Sequence, residues 1–329
     1  MNKINLRKFC VAPMMGYTTP HARKFYRILS KKAFLFTEMI PSKTMIHSSK
    51  KDLIIENDKE NPIALQVGGS EYKDLAKCTK IAKIYNYDEI NLNVGCPSKA
   101  VQKGSFGACL MKESKLVKNC LEAMMESEDI EVSVKCRIGL GKEFNYDFFC
   151  NFIDEIANSG IKVVYVHARN AILKGISPKS NRNIPPLNYD FVKKINKQYP
   201  HIQFILNGGI DSIEKAINLS KIYDGVMVGR LIQNNPFSLL KVDNLFFNTS
   251  KESNFNEKII MEYFEYIKKR LHNDSIFRLL SPLLNIFFGT PDSKKFKIRI
   301  QSIMKRQEID ILESLFLQFM NKQHANIDY

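Results

Sequence analysis

Eight short β-rich runs constrain the fold of this chain more than any other feature. Most are continuously apolar at their centres, as strands buried on both faces must be. Helical patterns lie between most of them, for example at residues 74–85 and 148–160, and the second ends on a capping glycine. The runs are FCVAPM (9–14), FLFTEM (34–39), IALQVG (63–68), EINLNVG (89–95), VSVKCRIG (132–139), VVYVHA (163–168), QFILNGG (203–209) and GVMVGR (225–230).

This alternation predicts a parallel sheet, and eight βα units match the size of a (β/α)8 barrel. A doubly wound sheet is the alternative, but its usual GxGxxG turn is absent from the sequence. From Glu257 onward the strand patterns give way to helical spacing. We therefore predict an α/β fold with a TIM barrel in residues 1–243, and a small all-helical domain in residues 244–329 that begins in a loop around Asn244–Asn256.

Composition excludes several protein classes. The chain is 44% hydrophobic and 25% charged, which is typical of soluble globular proteins. Its sequence predicts neither a transmembrane helix nor a signal peptide. The seven cysteines are odd in number and form no CxxC pair, which argues against a disulfide framework and a zinc site. We expect a cytoplasmic protein without a bound metal.

A formal net charge of +15 suggests a polyanionic partner. A lysine-rich surface can also arise from AT-rich coding and be merely solvated, so charge alone leaves both interpretations open. The segment Arg169–Leu187 is more informative, because it holds four basic residues and no acidic one. It predicts a local basic patch.

Polar or backbone-exposing residues follow nearly every predicted strand, at the end where barrels gather their chemistry. A buried polar group costs roughly 1–3 kcal/mol if it stays unpaired, so this concentration predicts a ligand site. The residues are Pro13, Met14 and Met15, Glu38 and Met39, Gln66, Asn93 with Cys96, Lys135 with Arg137, His167 with Arg169, Asn207 with Gly208 and Gly209, and Gly229 with Arg230.

The chemistry of this set matches a flavin. The sequences NGGI and VGR follow strands seven and eight, where barrels often bind phosphate, although NGG could also be only a tight turn. Lys135 and His167 could donate to an anionic ring edge, and Gln66 offers both a donor and an acceptor to a heterocycle. Each residue alone could be structural. Together they predict a phosphorylated, flat, electron-accepting cofactor, FMN.

A series of motifs resembles the tRNA-dihydrouridine synthases, in the order and roughly the spacing of that family. The pieces VQKGSFGACLM and SPKSNRNIPPL resemble the branch that acts on uridines 20 and 20a of the D-loop. The C-terminal part is similar in pattern to the family's helical tRNA-binding domain. The motifs are APMMGYT, TEM, ALQVGG, EINLNVGCPS, FGACLM, VKCRIG, VHAR, NRNIPPL, NGGI and DGVMVGR.

The resemblance gives a role to Cys96, which follows a strand in which Ile90, Leu92 and Val94 alternate with polar residues. It implies that NADPH reduces FMN, that the flavin passes a hydride to C6 of a flipped uracil, and that Cys96 protonates C5. A thiol suits this step because its reference pKa of about 8.5 keeps it mostly protonated near neutral pH. The alternative for Cys96 is a small buried hydrophobe, which we prefer for the other six cysteines.

The resemblance also implies roles for further residues. Lys135 and His167 would lie at the flavin edge, and Gln66 would contact the isoalloxazine. The loop Pro13–Met15 would lie beneath the ring. The phosphate site would comprise Asn207, Gly208, Gly209, Gly229 and Arg230, and the contacts to tRNA would come from Asn93, Lys103, Arg182, Arg278 and Lys297.

The sequence departs from the family at Gly16 and Tyr17, where an acidic residue and a tryptophan are more common, and at Lys103, where asparagine is usual. We expect a monomer with a tRNA substrate and with neither a DNA nor a membrane partner. Two alternatives remain open at this point. One is another FMN barrel, such as a small-molecule dihydropyrimidine or dihydroorotate oxidoreductase. The other is a non-catalytic tRNA-binding or tRNA-folding protein on a barrel scaffold.

Overall fold

The computed structural model of the chain describes residues 6–49, 54–249, 257–286, 292–306 and 308–324. These residues fold as two compact units. The first comprises the described parts of Met1–Pro20 and Lys32–Gly229, and the second comprises His21–Lys31 with the described residues from Arg230 onward. Within the described residues, no helix is long and apolar enough to cross a membrane.

The first unit contains eight strands, which coincide with the eight predicted runs. Their bounds are β1 Phe9–Val11, β2 Leu35–Pro41, β3 Ile63–Gly68, β4 Glu89–Val94, β5 Glu131–Arg137, β6 Val163–His167, β7 Gln203–Asn207 and β8 Gly225–Val228. The helices of this part of the chain are α1 Pro20–Leu29, α2 Ser42–His47, α3 Tyr72–Ile84, α4 Lys99–Lys103, α5 Ser114–Ser127, α6 Tyr146–Ala157, α7 Tyr189–Gln198 and α8 Ile213–Ser220.

All neighbouring strands pair in parallel, in the order β1-β8-β7-β6-β5-β4-β3-β2. The two ends of this sheet meet. Val11 N donates to Phe34 O at 2.8 Å, and Phe34 N donates to Phe9 O at 2.9 Å. The predicted (β/α)8 barrel is therefore confirmed, and the doubly wound alternative is excluded because an open sheet leaves its edge strands unpaired.

The apolar part of the barrel interior is formed by side chains from six of the eight strands, together with Ala12 and Phe34. Phe36 and Tyr165 form an edge-to-face pair with ring centroids 5.1 Å apart. The helices lie on the outside of the sheet. The first turn of α6 is capped by Asn145, whose side chain accepts from Phe148 N at 2.8 Å. The buried interior cluster comprises Cys10, Ala12, Phe34, Phe36, Ala64, Val163, Tyr165, Ile205 and Met227.

The second unit is helical. Its core contains Tyr263, whose hydroxyl donates to Leu279 O at 2.8 Å, and a ring stack of Phe296 on Phe319 with centroids 4.1 Å apart. Besides α1, its helices are α9 Arg230–Asn234, α10 Val242–Phe247, α11 Glu257–Arg270, α12 Ile276–Leu280, α13 Ser293–Met304 and α14 Ile309–His324. The predicted helical C-terminal region is confirmed.

Two details differ from the sequence prediction. Residues 244–247 lie in α10 rather than in a loop, and residues 250–256 of the predicted loop fall outside the described residues. Residues 230–243, which the sequence analysis assigned to the barrel, group with the second unit. A binary pattern of strands and helices does not show which core a short helix packs against. The functions assigned to the two regions stay predictions.

Candidate active site

Five predicted site residues lie at the carboxyl ends of five consecutive strands, Gln66 in β3, Asn93 in β4, Lys135 in β5, His167 in β6 and Asn207 in β7. The strand register pairs Asn93 with Lys135 and His167 with Asn207. Because parallel strands of a barrel end at one rim, this register brings the five side chains to the same mouth.

Asn93 ties the Cys96 loop to Gln66. Its Nδ2 donates to Gln66 Oε1 at 2.9 Å. Its Oδ1 accepts from Gly95 N at 3.2 Å and from Cys96 N at 3.0 Å. The first two N–H groups of the loop therefore have a side-chain acceptor, which fixes the loop directly after the strand ends. Cys96 itself is half-buried.

The segment FGACLM holds the other side of this loop. Ala108 N donates to Cys96 O at 2.9 Å. The preceding Gly107 has φ +78°, and a Cβ there would lie 2.6 Å from Cys96 O. Any other residue would displace the Cys96 backbone, so glycine is needed at this position for both its backbone angle and its close approach.

Lys135 is a half-buried cation at the mouth of the barrel. Its Nζ donates to Asn207 Oδ1 at 3.0 Å, and Asn207 Nδ2 donates in turn to Met227 O at 2.7 Å. Burial, together with the nearby positive charge of Arg137, lowers the pKa of Lys135 to about 8. A half-buried ammonium group of this kind favours an anionic ligand.

The turn after β7 has no side chains at its centre. Gly208 has φ +113° and Gly209 has φ +64°. A Cβ on Gly208 would lie 2.6 Å from His167 Cδ2, and one on Gly209 would lie 2.4 Å from Leu187 Cδ1. The turn is anchored through its carbonyls, since Tyr189 Oη donates to Gly208 O at 2.6 Å. The turn therefore packs closely against His167 and Leu187, which occupy the space beside the two glycines.

The loop after β1 and the turn after β8 complete the predicted flavin residues. Met14 N donates to Thr18 Oγ1 at 3.0 Å, which pins the loop. Pro13 and Met14 are half-buried, whereas Met15 is 62% exposed. A Cβ on Gly229 would lie 3.3 Å from Met14 Sδ. Arg230 is exposed, follows Gly229 directly in the chain and begins α9.

Arg137 lies at the end of β5, where the sequence predicts a polar residue without indicating its role. It is only 3% exposed. Its Nε donates to Gly95 O at 3.1 Å, and its Nη1 donates to the carbonyls of Asn170 and Asn181, both at 3.2 Å. Arg137 therefore joins the Cys96 loop to the basic segment. Its position in VKCRIG could have indicated this role. Arg137 follows Lys135 by two residues, so both side chains lie on the same face of β5.

Arg137 and Lys135 both interact electrostatically with the Cys96 thiol. Burial lowers the pKa of Arg137 to about 10, and a negative charge on Cys96 would raise it again. A negative charge on Cys96 would also raise the pKa of Lys135. The charges of buried Arg137 and half-buried Lys135 therefore interact with the Cys96 side chain.

The residues predicted to contact tRNA lie in both units. Lys103 at the end of α4 and Arg182 in the basic segment are exposed in the first unit. In the second unit, exposed Arg278 forms an ion pair with Asp274 at 2.9 Å, and Lys297 is half-buried on α13. In the parts of the chain that the structure describes, no group of His, Cys, Asp and Glu is arranged to hold a metal ion.

Known proteins match this chain over most of its length. Residues 10–323 match the family model described as Dihydrouridine synthase (Dus). The chain is 41% identical over 292 residues to the tRNA-dihydrouridine(20/20a) synthase of Shewanella oneidensis, which covers 88% of this chain and 87% of the relative. It is 41% identical to the enzyme of the same name from Escherichia coli K12, covering 88% and 84%, and 40% identical to that of Vibrio vulnificus, covering 89% and 90%. The chain belongs to the dihydrouridine synthase family.

Proposed function

We propose that this protein is a tRNA-dihydrouridine synthase that reduces the C5–C6 double bond of uridines 20 and 20a in the tRNA D-loop. The relatives that match 88–89% of the chain carry the name tRNA-dihydrouridine(20/20a) synthase, and this match carries the substrate proposal. The family is flavin-dependent, and we propose FMN as the cofactor and NADPH as the electron donor. A tRNA substrate also fits the net charge of +15.

The residues at the barrel mouth fit FMN. Lys135 offers a half-buried ammonium group. The amide of Gln66 is bonded to Asn91 and Asn93, so its second N–H group is the one assigned to the isoalloxazine. The turn at Gly208 and Gly209 follows β7 at the same mouth and packs against His167. When bound, the flavin supplies the hydride for C6 of the uracil. We assign Lys135 and His167 to its ring edge, Pro13–Met15 to the face beneath the ring, and Asn207, Gly208, Gly209, Gly229 and Arg230 to its phosphate end.

Cys96 is the proposed general acid, because its thiol can supply the proton that C5 needs when C6 receives a hydride. After this step the sulfur carries a negative charge. Lys135 and Arg137 are the nearby cations that interact electrostatically with that charge. The hydrogen bonds from Gly95 N and Cys96 N to Asn93 hold the thiol in place.

The uridine must leave its stack to reach the mouth of a barrel. Asn93 already uses its Oδ1 and one N–H group in the contacts to the loop and to Gln66, so its remaining N–H group is the one it can offer to the base. Exposed Lys103 and Arg182 are assigned to the tRNA backbone. Arg278 and Lys297 are assigned to it from the second unit.

The test is the oxidation of the NADPH-reduced enzyme by unmodified tRNA in a single turnover. Cys96→Ala should slow this oxidation by roughly 10²–10⁴-fold, the usual contribution of a positioned general acid, while NADPH still reduces the flavin at a near-normal rate. Cys109→Ala is the matched control, because Cys109 is also half-buried but its thiol donates to Phe106 O at 3.1 Å. Dihydrouridine should appear at positions 20 and 20a.

The other outcomes separate the two alternatives. Oxidation by free orotate or another small pyrimidine, but not by tRNA, would indicate a small-molecule oxidoreductase. A purified protein without a flavin absorbance spectrum, but with tRNA affinity, would indicate a non-catalytic binding protein. An unchanged rate in Cys96→Ala would mean that Cys96 is not the acid.

A further inference from the structure

The interior face of β4 is polar along its whole length. Glu89, Asn91 and Asn93 alternate with apolar residues, and Glu89 and Asn91 are fully buried. The Glu89 carboxylate accepts from Tyr165 Oη of β6 at 3.2 Å, a contact that skips β5 and is possible only across the barrel interior. Bulky branched apolar residues usually occupy such positions, so a buried polar column in this place calls for an explanation.

The column belongs to a continuous line of hydrogen bonds. Gln66 Nε2 donates to Asn91 Oδ1 at 2.8 Å. Asn91 Nδ2 donates to Ser133 Oγ at 2.7 Å, and Ser133 Oγ donates to Glu89 Oε1. Since Gln66 also accepts from Asn93, the line runs from the Cys96 loop to the opposite end of the barrel.

An ion pair closes the lower end of the line. Arg7 Nη2 lies 2.6 Å from Glu89 Oε2, and Arg7 Nε donates to the same oxygen at 2.8 Å. Burial raises the pKa of Glu89 above its ordinary value, and the positive charge of Arg7 with hydrogen bonds from Arg7, Ser133 and Tyr165 opposes that rise. The ion pair with Arg7, at 2.6 Å, favours the carboxylate form. An ionised carboxylate can only accept hydrogen bonds, so the Ser133 hydroxyl must donate to it.

The groups at the two ends of the line require the same donor-to-acceptor direction in every hydrogen bond between them. At the upper end, the backbone N–H groups of Gly95 and Cys96 can only donate, so Asn93 must turn its oxygen toward them. Its NH₂ group must then meet the oxygen of Gln66, whose own NH₂ group must meet the oxygen of Asn91. The same orientation follows independently from Glu89 through Ser133. Each amide therefore has one orientation that satisfies both neighbours.

We propose that Glu89, Ser133 and Asn91 are positioning residues that fix the amides of Gln66 and Asn93, and through them the loop that carries Cys96. The catalytic part of this inference rests on the proposed function. Without the Ser133 hydroxyl, Asn91 Nδ2 loses its acceptor, and nothing from Glu89 selects one orientation of the next amide. Only the backbone N–H groups of Gly95 and Cys96 then fix the orientation of Asn93, and the Cys96 loop is held less firmly. The β4 strand itself stays paired with β3 and β5.

Ser133→Ala tests this inference, with Tyr165→Phe as the matched control. Tyr165 also contacts Glu89 and accepts from Arg7 Nε at 3.1 Å, but it lies outside the line to Cys96. Ser133→Cys is the intermediate variant, because a thiol is a similar size but a weaker donor and acceptor. It also supplies the test if Ser133→Ala does not fold.

The first measurement is the alkylation rate of Cys96 by iodoacetamide in the flavin-free protein, determined by peptide mass spectrometry with half-buried Cys150 as the internal reference. The second is single-turnover oxidation by tRNA. Ser133→Ala should change the Cys96 alkylation rate relative to Cys150 and slow the oxidation by roughly ten- to hundredfold, as a misplaced catalytic group does. Ser133→Cys should lie between wild type and Ser133→Ala, and Tyr165→Phe should match wild type in both.

Equal effects of Ser133→Ala and Tyr165→Phe would overturn the inference, because a general loss of core stability would affect both variants alike. If only Ser133→Cys folds, a Cys96 alkylation rate equal to that of Tyr165→Phe overturns it as well. A wild-type protein that tRNA does not oxidise would refute the proposed function instead. The alkylation comparison would still decide whether the line of hydrogen bonds positions the loop.

Discussion

Replacing Gly208 with alanine should displace His167 from the mouth of the barrel. The added Cβ would lie 2.6 Å from His167 Cδ2, 3.0 Å from its Nε2 and 3.2 Å from Leu187 Cδ2. Contacts below 3 Å cannot persist, so a neighbouring group must move. The His167 ring is the nearest group and is a side chain, so we expect the ring to rotate rather than the backbone to shift.

The cost has two parts. A residue with a side chain at φ +113° is strained by about 1–2 kcal/mol. Moving the His167 ring away from its preferred rotamer in a packed site adds about 1–2 kcal/mol. The free energy of unfolding should therefore fall by about 2–4 kcal/mol. Flavin retention should fall as well, because the proposed ring-edge donor no longer occupies its place.

Gly160→Ala is the matched control, because Gly160 has φ +88° but nothing lies within 4 Å of the position that its Cβ would take. It should cost about 1–2 kcal/mol from backbone strain alone and leave flavin retention unchanged. Both variants can be measured by urea denaturation followed by circular dichroism, and flavin content by absorbance after dialysis.

A second comparison isolates the collision. In a His167→Ala background the ring is absent, so Gly208→Ala should cost no more than Gly160→Ala does. Equal costs for Gly208→Ala with and without His167, or full flavin retention in Gly208→Ala, would refute the reasoning that the two residues are coupled.

Two further predictions concern pH. Burial lowers the pKa of Lys135 to about 8, so its charge is lost as pH rises through that value. The affinity of the flavin-free protein for FMN, measured by fluorescence titration, should therefore weaken above about pH 8. Lys135→Arg should show no such step, because a guanidinium stays charged in this range. Burial also lowers the pKa of His21, which contacts Tyr266 Oη and Asp274 Oδ2 at 2.8 Å. The unfolded chain then binds more protons, so this stability is complete above about pH 6.5 and is lost as pH falls below it. Urea titrations at about pH 7 and about pH 5 should show a larger loss in wild type than in His21→Gln.

Much of the fold was predictable because its signals are local. Each strand carries its own apolar run, and each helix carries its own spacing, so the number and order of elements could be deduced from the sequence. The division between the two units was not predictable in the same way. Helix α1 has an ordinary helical sequence, yet residues His21–Lys31 group with the second unit. Which core a helix packs on depends on distant residues.

The site was predictable in part for a similar reason. Chemistry in a barrel gathers at strand ends, so Gln66, Lys135 and His167 could be selected by their position alone. The role of Arg137 depends on carbonyls from separate loops, among them those of Gly95 and Asn181. No local pattern indicates which backbone carbonyls a buried guanidinium will meet.

The stretch EINLNV shows most directly what the sequence determined and what only the tertiary structure decided. Its alternation of Ile90, Leu92 and Val94 with polar residues determined a strand and placed the two sets on opposite faces. The same alternation is compatible with either face turned inward. Closure of the barrel turned Glu89 and its polar neighbours to the interior, because only there could partners from β3, β5 and β6 satisfy their hydrogen bonds.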